Sequence, residues 1–186
     1  MVDILALWLP ILLSAVFVFI LSSLIHMVFG YHAGDYKKLP NEEAIAELLR
    51  KSSIPDGAYM LPRAASMKEF GTPEHQAKIK RGPNGVLTIW GGTTPSMAGP
   101  MIQWFMFSIL IGILAAYITG RALEPGAHYL AVFRFAGATT FIAYAMGSWP
   151  ESIWYKRPWS TTLKSTFDAL LYALVTAGTF GWLWPR

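Results

Sequence analysis

The sequence predicts an all-α integral membrane protein: a four-helix transmembrane bundle with a small mixed helix/strand cytoplasmic segment between its first and second helices. Three observations carry this prediction. Hydrophobic residues make up 54% of the 186 residues and charged residues only 14%, against roughly 25% charged in a typical soluble domain. The apolar residues gather into four runs, each near the length of about 20 residues that crosses a bilayer as a helix. Tryptophan and tyrosine collect at the ends of those runs, where amphipathic rings sit at a membrane surface.

The first run, residues 4–30, holds no charged residue. It is longer than the apolar core of a cleavable signal and lacks a basic residue ahead of it, so it reads as a retained anchor. Pro10 lies in its first third and could bend it. His26 lies near its far end.

Residues 31–99 are polar. Asn41 is the expected N-cap of a short amphipathic helix, with Glu42 and Glu43 in its first turn and Arg50 and Lys51 in its last. Residues 58–61 and 86–90 have strand composition, and one economical arrangement pairs them. Thr72 and Pro73 open a further short helix. Residues 91–100 form a Gly-rich connection to the second run.

The second span covers about residues 101–120. Gly112, Ala116 and Gly120 fall four apart, so they share a face on which another helix packs closely. The third span covers about residues 127–149 and carries Arg134. The fourth covers about 161–182 and carries Lys164 and Asp168 in its first half. No internal repeat of 20–50 residues suggests transporter symmetry.

Basic residues set the expected orientation. Nine of the fifteen Lys and Arg lie in residues 31–99. Placing that side inward puts residues 31–99 and 150–160 in the cytoplasm and both termini outside, in a bacterial-type inner membrane. The formal net charge of +4 then reflects inward loops. Nucleic acid is not an expected partner, because no recognition motif accompanies the charge.

The charges inside the third and fourth spans are the strongest functional signal. Arg134 and Asp168 each cost about 2.5–3.5 kcal/mol to insert on translocon scales, so such residues need a partner or water. Their depths leave a gap of roughly 8 Å along the membrane normal. A long Arg side chain nearly closes it. The expected intramembrane polar network is therefore Arg134, Asp168 and Lys164. It reads first as a lock between two helices, with a proton or substrate path as the alternative. Asp168 also has Lys164 one turn earlier as a local partner.

His26, His32 and Asp35 form a second candidate cluster at one membrane face. Imidazole and carboxylate can hold a metal, but the spacing is not a metal pattern, and hydrogen bonding at a helix end is the expected role. No cofactor and no metal are predicted. His26 and His128 sit at opposite faces, which argues against a shared haem. The chain has no cysteine, which excludes disulfides, thiolate metal sites and cysteine nucleophiles. No phosphate loop, nucleophile elbow or metalloprotease motif is present. The leading functional expectation is a non-enzymatic protein that acts by association, as an accessory or assembly subunit or a homo-oligomer. A small transporter using Arg134 and Asp168, and a membrane enzyme or cofactor binder near His26, His32 and Asp35, are the alternatives. The expected partners are the lipid bilayer and a membrane protein or second copy.

Overall fold

A computed structural model describes residues 1–91 and 96–186. Contacts divide the chain into two units: Met1–Asp35 with Ser96–Arg186, and Tyr36–Pro95. The first unit is a helical bundle.

Its first helix, α1 (Trp8–Leu24), follows a 3-10 turn at Ile4–Leu7. Asp3 caps that turn by accepting from the Leu5 N–H at 2.7 Å. Pro10 sits in the first turn of α1, where backbone N–H groups have no partner within the helix, so its missing donor breaks no helical bond. The last residues of the run, Ile25–Phe29, form a π turn. Gly30 closes it in the left-handed region, φ 63°, where glycine pays no Cβ penalty. The chain then folds back through two turns, with Ala33 N–H donating to Gly30 O and Asp35 N–H to His32 O.

The remaining bundle helices are α5 (Ala98–Ala122), α6 (Tyr129–Ala145) and α8 (Trp159–Trp182). The helix α6 runs on through a 3-10 turn, Met146–Ser148, into α7 (Trp149–Tyr155). Thus α5 begins before the expected residue 101. The connection expected at residues 91–100 lies partly outside the described residues. Packing follows a simple order: α1 lies against α5 and α8, α5 against α6, and α6 against α8.

Three stretches are long and apolar enough to cross a membrane: Ile4–Phe29, Ala98–Ala122 and Tyr129–Tyr155. The expected fourth span is a helix of 24 residues, α8, but it is not among those three. Lys164 and Asp168 lower its apolar character.

Small residues bring these helices close. A Cβ on Gly112 would lie 3.3 Å from Ile11, and one on Gly120 would lie 2.6 Å from the Val2 carbonyl oxygen. Ala116 is fully buried. The small-residue face of α5 is therefore used inside the chain, against α1 and the segment before it. A second such face was not read from the sequence. Ala169, Ala173, Ala177 and Gly181 fall four apart on α8. A Cβ on Gly137 would meet Ala177 at 3.1 Å, and one on Gly181 would meet the Tyr129 ring at 2.6 Å.

The second unit contains α2 (Glu42–Lys51), β1 (Gly57–Leu61), α3 (Met67–Phe70), α4 (Pro73–Arg81) and β2 (Gly85–Ile89). The strands pair antiparallel, with Tyr59 opposite Leu87. Thr72 caps α4 by accepting from the His75 N–H, with Pro73 in the first turn. Ser66 caps α3 in the same way. Asn41 departs from expectation. It adopts the left-handed region at φ 53° and its side chain caps nothing; its backbone carbonyl takes the Ile45 N–H instead. Trp90, expected to pack in this segment, is 77% exposed, because it lies just past the end of the two-stranded sheet.

Candidate functional site

The polar groups of the bundle meet where α1 ends and α8 begins. The π turn positions His26, and the turns after Gly30 carry Tyr31, His32 and Asp35 back toward α8. Lys164 and Asp168, four apart on α8, present themselves on one face of that helix. Five of these six residues join one hydrogen-bonded network.

His32 is its centre. Its Nδ1 lies 2.7 Å from Asp35 Oδ2 and its Nε2 lies 2.8 Å from Asp168 Oδ2. Each contact faces a ring nitrogen with a carboxylate oxygen, so each must hold one proton, on the ring or on the acid. The Tyr31 hydroxyl donates to Asp168 Oδ1. Lys164 Nζ donates to the Tyr31 backbone carbonyl and to Asp35 Oδ1, both at 2.7 Å. Asp168 is buried and the Asp35 side chain is only 6% exposed.

Both acids are therefore paired rather than stranded, as buried carboxylates must be. Burial alone would push the Asp35 carboxyl up; hydrogen bonds from Lys164 and His32 overcome it and hold it below its ordinary value of 3.8. The Tyr31 phenol is pushed up, by burial first and then by the neighbouring Asp168 carboxylate, so it remains a donor.

His26 stands beside this network. Its ring stacks on that of His32 with centroids 4.7 Å apart and planes 6° from parallel. Its Nδ1 lies 2.9 Å from the Ser22 carbonyl oxygen, which can only accept. That contact places the ring proton on Nδ1 and leaves Nε2 with a lone pair. One ring nitrogen each from His26 and His32, and one carboxylate oxygen of Asp168, lie within 4.8 Å of one another.

The sequence set Asp168 with Arg134, and His26, His32 and Asp35 apart from both. The fold instead joins Asp168 and Lys164 to the histidine cluster, because the chain reverses after Gly30. Arg134 stays away: it is exposed on α6 and makes no ion pair among the described residues. Gly112, Ala116 and Gly120 lie in the packing between α5 and α1, not in the site. His128 is at the other end of the bundle, where its Nδ1 accepts from the Leu130 N–H and caps α6.

Two contributors were not singled out from the sequence. Tyr31 stood only within a run rich in hydrogen-bonding groups. Ser22 gave one usable signal, its place one helical turn before His26.

Fold and site together define a helical protein with membrane-crossing helices and a buried histidine–carboxylate cluster at one end of its bundle. No family model, curated protein or solved structure matches the chain.

Proposed function

We propose that the chain is a membrane protein that binds a divalent first-row transition metal through His26, His32 and Asp168. One observation carries the reading: two imidazoles and a carboxylate converge within 4.8 Å, and the orienting partners of a metal site already surround them. Asp35 holds His32 by Nδ1, the Ser22 carbonyl holds His26 by Nδ1, and Tyr31 holds Asp168 by its second oxygen. Such outer partners fix the ring tautomer and aim Nε2 at the metal.

In this reading the cation replaces the proton between His32 Nε2 and Asp168. Metal binding therefore releases a proton, and affinity falls as pH falls. The rings of His26 and His32 are stacked, so their in-plane lone pairs run side by side. His26, the exposed member, turns about its Cβ–Cγ bond to complete the site. That torsion is broad and costs little. The donor set of nitrogen and oxygen suits zinc or ferrous iron rather than calcium or copper(I). Three protein ligands leave a coordination position for water or substrate, as in catalytic metal sites.

We further read α8 as a fourth span. It is as long as the others, lies against α6 and α1, and keeps its two charges at one end, inside the cluster. With α8 crossing, the basic insertion falls on the side favoured for cytoplasmic loops.

Association, the leading expectation from the sequence, loses its motivating face, because Gly112, Ala116 and Gly120 are spent within the chain. The transporter reading loses its pair, because Asp168 bonds Tyr31 and His32 rather than Arg134.

The test is a cobalt(II) and zinc(II) titration of chelator-stripped protein in lipid nanodiscs. One equivalent should bind, with the ligand-field absorption of a low-coordinate cobalt site. His32→Ala and Asp168→Asn should each abolish it. Unchanged binding in the double variant would overturn the proposal.

A further inference from the structure

Arg134 is the one charge of the α6 span that the cluster does not absorb. It sits five residues past Tyr129, the first residue of α6, or about 8 Å along the axis. A helical side chain leans toward the N-terminus of its helix. The guanidinium therefore reaches toward the level of Tyr129, which is exposed and, as an aromatic of mixed character, suits the headgroup boundary.

Two apolar grooves run from Arg134 down either side of α6. One, of about 340 Å³, lies between α5 and α6 and includes Ile118 and Ile142. The other, of about 260 Å³, lies between α6 and α8 and includes Leu170 and Leu174. Arg134 and Ala138 line both. Ala138 makes a low ridge between the two channels, with the single cation at their common head.

We propose that this face of α6 binds one diacyl phospholipid of the bilayer, with its phosphate on Arg134 and one acyl chain in each groove. Stoichiometry favours this occupant. One cation heads two channels, as one phosphate heads two chains. A partner helix bearing a carboxylate would fill one groove and leave the other. The guanidinium supplies paired donors that match phosphate oxygens. The chains leave a bilayer that is itself apolar, so the grooves supply shape while Arg134 supplies selectivity. Lipid binding of this kind needs α6 to lie in the membrane and does not depend on the metal reading.

Delipidated protein in mild detergent, titrated with phosphatidylglycerol and followed by native mass spectrometry, tests it. One phosphatidylglycerol should be retained, and its single-chain lyso form and neutral diacylglycerol should bind more weakly. Arg134→Gln should weaken retention about tenfold or more, and Arg134→Lys much less. Ala138→Trp, which fills both channels from an exposed position, should block the lipid while cobalt(II) binding at the other end reports an intact bundle. Inorganic phosphate at millimolar concentration should not displace the lipid. Equal retention by wild type and Arg134→Gln would overturn the proposal. So would Arg134-dependent binding of a synthetic apolar helix bearing one Glu when phosphatidylglycerol does not bind.

Discussion

Asp35 shows how a single carboxylate can tie two helices. Its charge is held against burial by Lys164 and His32, so it ionises below 3.8. A lowered native value means that the folded state gains stability above the unfolded value and loses it as pH falls through the native one. The Lys164–Asp35–His32 connection should therefore persist through pH 4 and fail only in stronger acid. Thermal melting between pH 2 and 6 should show this acid limb, and Asp35→Asn should flatten it. The same variant should weaken cobalt(II) binding roughly 10–100-fold, because it removes the group that orients His32. Tyr31→Phe takes one hydrogen bond from the buried Asp168 carboxylate, and should lower stability by about 1.5–3 kcal/mol. An unchanged melting temperature would show that Asp168 does not depend on that hydroxyl. The members of this cluster were visible in the sequence, but their grouping was not. Asp168 and His32 lie 136 positions apart, and no local periodicity reports a contact of that range. Depth along a span could be counted, which is why Arg134 was set opposite Asp168. What the count could not supply was the reversal after Gly30.

Helix packing lends itself to a graded test. A methyl group at Gly120 would press on backbone oxygen at 2.6 Å, at Gly181 on the Tyr129 ring at 2.6 Å, and at Gly112 on the Ile11 side chain at 3.3 Å. Backbone yields least and a flexible side chain most. Ala substitutions should therefore destabilise in the order Gly120, Gly181, Gly112, with the first costing about 1–3 kcal/mol. Denaturation in mixed micelles would rank them, and a reversed order would contradict the described packing. The apolar helices were legible because a stretch of that length without charge suits lipid and little else. The spacing of Gly112, Ala116 and Gly120 marked a packing face correctly, yet spacing cannot say whether a neighbour belongs to the same chain. Caps depended on backbone conformation. Thr72 met its role, whereas Asn41 took a left-handed conformation that turned its side chain away from the helix.

Across the whole molecule, the number of crossings decides which residues share a compartment. If α8 crosses, Ser160 and Arg186 lie on opposite faces. The native chain lacks cysteine, so Ser160→Cys and Arg186→Cys give clean single-label reporters. A membrane-impermeant maleimide applied to sealed vesicles of known orientation should label one and spare the other. Labelling of both from the same side would refute the fourth span. By the distribution of basic residues, the protected position in right-side-out vesicles should be 160.

The π turn at Ile25–Phe29 gives this protein a counted length. A π turn is an α-helix holding one extra residue. Deleting one position between Ser22 and Gly30 would restore regular winding and swing everything beyond it by about 100° around the axis. His32 and Asp35 would then leave α8, and no compensating point substitution could recover them. This short stretch should accept many exchanges of apolar side chain and no change in residue number, an asymmetry that a library of substitutions and single-residue deletions would expose at once.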